Sequence, residues 1–147
     1  IEAIAKLSKA GFTIAVATNQ SGLARGYFSP ETLHHMHSKM RHMVGEQGGH
    51  IDHIEYCPHG PDNQCDCRKP LPGMIHNILA QYPEAAPESV FVVGDSLRDL
   101  EAGIAAGCKP LLVRTGKGER TLAKGGLPES LLVCDDLNAA IPFILNQ

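Results

Sequence analysis

Apolar residues in this chain fall into short runs of two kinds, and their alternation is the first structural signal. Ile1, Ile4 and Leu7 recur at helical spacing and Gly11 follows as a helix-ending glycine would, so the chain is expected to open on a helix. Residues 12–18, FTIAVAT, form a β-rich apolar run that ends in the polar, glycine-containing NQSGLARG. That is the pattern of a buried strand feeding a loop at its carboxyl end. Ser29 as N-cap and Pro30 at the first helical position announce a second helix, expected to reach about Gly45. DHIEYC, residues 52–57, reads as a second strand. Residues 57–73 carry Pro58, Gly60, Pro61, Pro70, Pro72 and Gly73 and cannot hold regular structure for long. The alternation then resumes with a helix from about Pro72 to Tyr82, strand SVFVVGD, a helix from about Leu97 to Ala106, strands KPLLVR and LLVC, and a C-terminal helix.

Buried strands alternating with helices predict a parallel, doubly wound α/β sheet. Ligands of such sheets sit beyond the carboxyl ends of the strands, and three polar loops fall there: Thr18 to Gly26, Arg68 to Lys69, and Gly94 to Asp99. The length, 147 residues with 43% hydrophobic, matches one domain over residues 1–147. Thirteen Lys+Arg against sixteen Asp+Glu give a net charge of -3, so there is no basic excess for nucleic acid. The longest apolar runs, such as VFVV, are far short of the roughly 20 residues that cross a bilayer, and a soluble protein without a membrane partner is expected. Because the chain opens at Ile1 within a helical pattern, with neither Met nor a cap, a further N-terminal segment is expected before it.

Three constellations can carry chemistry. Of five cysteines, Cys57, Cys65 and Cys67 crowd beside His59, whereas Cys108 and Cys134 stand apart. Cys57-Pro-His59 and Cys65-Asp-Cys67 are two ligand pairs able to close a tetrahedral zinc site with no position left for water, which is a structural site. The alternatives are a proline-rich loop with reduced cysteines and an incidental histidine, or a disulfide. Zinc here would order a long loop and deliver Arg68 and Lys69 to the sheet edge. In Val93-Gly94-Asp95-Ser96-Leu97-Arg98-Asp99, a carboxylate at a strand tip suits Mg2+, with Asp99 supporting from behind; taken alone, an Asp capping a helix fits equally well. Gly94 is expected to let the backbone approach a ligand. Thr18-Asn19-Gln20-Ser21-Gly22 offers neutral donors for a phosphate, although the isolated segment fits an ordinary Asn/Ser turn better. Lys69 supplies the cation that this loop lacks. His34, His35, His37 and His42 lie in the second helix and read as a solvated face.

Together, TNQSG after an early strand, the lysine of CRKP, and GDSLRD after a later strand resemble three of the four signature motifs of haloacid dehalogenase-like phosphatases. TNQSGLARGYF with CPH and CDCRKP is similar to the zinc-containing group of D-glycero-D-manno-heptose 1,7-bisphosphate 7-phosphatases, over essentially the whole chain. The resemblance implies a Mg2+-dependent phosphatase working through an aspartyl-phosphate intermediate, without a large cap domain. It implies that Thr18 holds the transferring phosphoryl, with Asn19, Gln20 and Ser21 lining the same loop. Lys69 would neutralise phosphoryl charge, Arg68 would help recognise a sugar bisphosphate, Asp95 would bind Mg2+ with Asp99 in support, and Ser96 would stand near the substrate. A cytoplasmic monomer acting on a small sugar bisphosphate, in bacterial lipopolysaccharide precursor synthesis, is the expectation that follows.

One departure stands out: no two aspartates here are separated by a single residue, so the family's DxD, which provides nucleophile and general acid/base, is absent. The resemblance places that motif on a central strand, between the strands expected at 12–18 and 90–94. About 30 residues are therefore expected to precede Ile1, and these 147 residues alone are expected to be inactive and poorly stable, with exposed strand edges. Histidinol-phosphate phosphatases share the zinc loop, but the Ala24-Arg25-Gly26 segment fits the heptose group better. Polynucleotide 3'-phosphatases have a similar TNQ loop without the zinc pattern. From another class, a zinc-stapled module that binds a phosphorylated ligand without catalysis fits the missing DxD, but not the retention of Thr18, Lys69 and Asp95 together at strand ends.

Overall fold

The computed structural model describes residues 2–19, 29–57, 69, 71–128 and 131–145. The chain divides into two compact units, Ile1–Arg68 and Lys69–Gln147, each with its own parallel ladder.

In the first unit, helix α1 (Glu2–Lys9) turns Ala3, Ala5 and Leu7 inward while Ile4 is only half-buried. The helix stops at Gly11 as expected, with φ of 97° and the Phe12 amide bonding back to the Leu7 carbonyl. Strand β1 (Ala15–Asn19) pairs in parallel with β2 (His53–Cys57), Thr18 opposite Tyr56 and Asn19 opposite Cys57. The Asp52 carboxylate accepts the Ile14 amide at 2.7 Å, extending the pairing by one residue at the amino end. The connection is helix α2 (Pro30–Glu46), started as the sequence predicts: Pro30 opens it, and the Ser29 hydroxyl accepts the Thr32 amide at 3.2 Å. Leu33 and Val44 are its buried residues. His34, His35 and His42 are exposed, and His37 stands 5.9 Å from the Tyr56 ring, as befits a wetted face.

The second unit orders its strands β3-β4-β5, all parallel: β3 (Phe91–Gly94), β4 (Lys109–Val113) and β5 (Leu132–Cys134). Its helices are α3 (Gly73–Gln81), α4 (Leu97–Ala105), α5 (Gly118–Lys124) and α6 (Leu137–Leu145), with a 3-10 turn at Pro87–Ser89. Leu111 and Leu112 of β4 are fully buried, as are Leu100 and Ala102 of α4 and Ala140 of α6. Ile75, Ala102 and Cys108 pack together with Leu79, Val90, Val92 and Ala106 against them.

The parallel α/β character is as predicted, and the flanking strands are less buried than their apolar runs alone suggest. β1 and β3, read as buried from their apolar runs, are mostly half-buried, with Ala15 exposed and Phe91, Val92 and Val93 intermediate. Each has one strand partner among the described residues, β2 for β1 and β4 for β3, whereas β4 has a neighbour on both sides. Among the described residues, the ladders are a pair in the first unit and a triplet in the second. No described helix is long and apolar enough to cross a membrane.

Candidate active site

The chemistry-bearing residues of the second unit converge where β3 gives way to α4. β3 ends at Gly94, so Asp95 emerges at the strand's carboxyl tip and Ser96 stands at the N-cap of α4. The local sequence allows a choice here, and the structure makes it. The Ser96 side chain makes no capping bond, and the Asp95 carboxylate instead accepts the Lys117 amide through Oδ2 at 3.0 Å. Capping α4 is therefore not what occupies Asp95. Its Oδ1 accepts no hydrogen bond from a described residue, leaving one hard oxygen free at the strand tip.

Asp99, one turn into α4, is the hub. Its Oδ1 forms an ion pair with Lys69 Nζ, and its Oδ2 accepts the Ser96 hydroxyl at 3.0 Å and the Asp95 amide at 3.3 Å. Both partners are well enclosed, with side-chain exposures of 15% for Lys69 and 14% for Asp99. Burial alone would raise the Asp99 carboxyl, but the Lys69 ammonium, the Ser96 hydroxyl and the Asp95 amide together outweigh it and hold the group below the usual carboxylate range. Gly94 is needed here: a Cβ on it would run into the Asp99 side chain, so the missing side chain makes room for Asp99.

Sequence reasoning missed the support supplied by α5. The Thr121 hydroxyl donates to the Asp95 carbonyl at 2.7 Å and lies 3.1 Å from the Lys117 carbonyl, and Thr121 is buried at 8% exposure. Residues 117–121 thus hold Asp95 by both its carboxylate and its backbone. GERTLAK has too few apolar positions to announce a helix, and the only signal was the glycine-rich TGKG before it.

In the first unit, Thr18 and Asn19 close β1 at its carboxyl end, with the Thr18 hydroxyl 3.4 Å from the Asn19 carbonyl. Cys57, fully buried, closes β2 beside them in register. Gln20, Ser21, His59, Cys65, Cys67 and Arg68 lie outside the described residues, and with them most of the expected zinc set. Among the described residues no group of three or more His, Cys, Asp or Glu gathers to hold a metal. Asp95 nonetheless fits Mg2+, which takes one or two carboxylates and keeps several of its waters: it offers an oxygen with an open lone pair at a polar strand tip.

A parallel α/β unit with Asp95 and a lysine-bound Asp99 after β3 defines a haloacid dehalogenase-like hydrolase, and the HAD-hydrolase-like family matches this chain over residues 66–140. The chain is 60% identical over 139 residues to the D-glycero-β-D-manno-heptose-1,7-bisphosphate 7-phosphatase of Pseudomonas putida, across 95% of this chain and 78% of that protein. To the enzyme of the same name from Bordetella bronchiseptica it is 52% identical, across 100% of this chain and 82% of that protein. The crystal structure of D,D-heptose 1,7-bisphosphate phosphatase from B. bronchiseptica complexed with magnesium and phosphate superposes with a TM-score of 0.94, covering 99% of this chain and 80% of that one. The chain belongs to the D-glycero-β-D-manno-heptose-1,7-bisphosphate 7-phosphatase family, and so to the phosphoric monoester hydrolases.

Proposed function

We propose that the protein removes the 7-phosphate of D-glycero-D-manno-heptose 1,7-bisphosphate, with Mg2+, in the synthesis of lipopolysaccharide precursors. The observation that carries this reading is the fixed cluster after β3, where Asp99 ties Lys69 to the Asp95-Ser96 turn. A phosphatase needs positive charge held where phosphoryl charge builds, and a cation positioned before substrate arrives costs no rearrangement during reaction. Lys69 is such a cation, steadied by Asp99. Mg2+, held through Asp95, would neutralise further phosphoryl charge. Asp99 supports that carboxylate indirectly by accepting the Asp95 amide, and Ser96 borders the same space.

Thr18 is assigned to the transferring phosphoryl, with Asn19, Gln20 and Ser21 lining its loop and Arg68 recognising the sugar bisphosphate. The nucleophile of an aspartyl-phosphate route is not among these 147 residues, which contain no DxD. We infer that it comes from sequence outside them, and β3, paired with β4 alone among the described residues, offers a place for its strand. Structural zinc on Cys57, His59, Cys65 and Cys67 belongs to the same reading. It is supported by burial of Cys57 at the carboxyl end of β2, opposite Asn19, where a stapled loop would start beside the phosphate loop. A cytoplasmic location goes with it, since thiolate ligands must stay reduced.

The substrate assignment is tested by phosphate release from D-glycero-β-D-manno-heptose 1,7-bisphosphate and from histidinol phosphate in parallel, using the intact protein with Mg2+. Preference for the heptose ester is the expected result. Preference for histidinol phosphate would keep the reaction class and overturn the substrate.

A further inference from the structure

A cleft of about 410 Å³ opens beside the Asp95 cluster, within the second unit, and its walls carry an unusual charge. Arg98 from α4 and Lys117, Arg120 and Lys124 from α5 and its preceding turn line it together with Ser96 and Thr121, and no acidic residue is among the lining. Four of the chain's thirteen Lys+Arg thus converge in one concavity of a molecule whose net charge is -3.

None of the four takes part in an ion pair among the described residues, unlike Lys6, Lys69 and Arg114. The nearby acid on α5, Glu119, turns away to Arg114 at 3.6 Å. Arg120 and Lys124 are also four residues apart on one helix, a like-charge spacing that weakens a helix slightly. Unpaired cations in a concave wall raise the local concentration of anions and favour a dianion most. The cleft is also joined to the catalytic cluster through shared residues. Ser96 donates to Asp99, the Lys117 amide bonds the Asp95 carboxylate, and Thr121 bonds the Asp95 carbonyl.

We propose that this cleft is a second phosphoryl subsite, in which Arg98, Lys117, Arg120 and Lys124 take a phosphate dianion beside the Asp95 cluster. The proposal rests on the phosphatase reading for its biological use, but not for its chemistry. The dianion has two possible sources, the phosphate that a bisphosphate substrate retains or free inorganic phosphate released by turnover. Guanidinium groups bind phosphate oxygens in pairs and ammonium groups neutralise charge, so the mixed set suits either.

Inorganic phosphate titrated into the 15N-labelled intact protein, without Mg2+, tests the binding directly. Saturable shifts of the Lys117, Thr121, Lys124 and Gly125 amides are expected, and the double variant R120Q/K124Q is expected to weaken them at least about tenfold, the scale of losing hydrogen bonds to a charged group. Kinetics then separates the sources. A raised KM for a sugar bisphosphate with an unchanged KM for p-nitrophenyl phosphate identifies the substrate's second phosphate. Relief of phosphate inhibition with both KM values unchanged identifies the free ion. Amide shifts that are absent, or identical in the folded double variant, overturn the proposal. Failure of the unmodified protein to hydrolyse any ester would speak against the phosphatase reading, while the titration would still decide the cleft.

Discussion

Both oxygens of Asp99 are engaged, Oδ1 by Lys69 and Oδ2 by Ser96 and the Asp95 amide, so this carboxylate fixes a cation and a turn at once. Because its proton is held less tightly in the folded than in the unfolded chain, its contribution to stability is complete above the ordinary carboxylate range and is lost as pH falls through the lowered value. Asp99→Asn should therefore cost about 2 kcal/mol near neutral pH, the scale of a hydrogen-bonded charge pair. The difference from the unmodified protein should narrow below about pH 4. Urea unfolding of both proteins across that range measures it, and a gap independent of pH would show that the ion pair is not what Asp99 contributes. At this scale the sequence was readable where the chemistry is local: Ser29 caps, Pro30 starts a helix and Gly11 ends one. Lys69 and Asp99 each stood out as candidates, but their pairing spans thirty positions and no local pattern carries it. The need of Asp99 for the space beside Gly94 is likewise carried by no local pattern.

Element by element, the regular helices and strands of the second unit follow the apolar periodicity within a few residues. The expected strand KPLLVR is observed as Lys109–Val113, and the helix expected from Leu97 to Ala106 as Leu97–Ala105. The exception is α5, whose seven residues bury only Gly118 and Thr121 and which serves the site through the Thr121 hydroxyl, with the Lys117 amide from the turn before it, and not through an apolar face. Thr121→Val keeps the shape and removes the bond to the Asp95 carbonyl. It should destabilise the protein by about 1 kcal/mol and lower kcat several-fold, with Thr121→Ser restoring both, since one buried neutral hydrogen bond is at stake. Thermal melting and steady-state turnover of the two variants check this; equal losses in Val and Ser would point to packing instead. Helix α6 carries Pro142 in its interior, exposed and without a donor for the Asn138 carbonyl. Pro142→Ala should raise stability by about 1–3 kcal/mol, read as a higher melting temperature.

For the whole molecule, the resemblance carried most of the functional information, because the site is assembled from loops far apart in sequence. Half-burial of β1 and β3 was not visible in their apolar composition, as a hydrophobic run states what a strand can bury and not which neighbours it has. The basic cleft was invisible for the converse reason: a net charge of -3 averages away four cations that only the fold of the second unit brings to one cleft. Zinc would act on the whole molecule by stapling a long proline-rich loop. Metal analysis of the intact protein should find about one zinc per chain, and Cys67→Ser should lose it together with most activity. Unchanged zinc content in that variant would remove Cys67 from the ligand set.

The most direct test of the catalytic account is the fate of the two phosphates of D-glycero-β-D-manno-heptose 1,7-bisphosphate, followed by 31P NMR with the intact protein and Mg2+, beside Asp95→Asn. The account requires the 7-phosphate signal to be replaced by inorganic phosphate while the 1-phosphate persists. It also requires the variant to be slower by about a hundredfold or more, the scale of removing one preorganised electrostatic group. Loss of the 1-phosphate first, or full turnover by the variant, would contradict it.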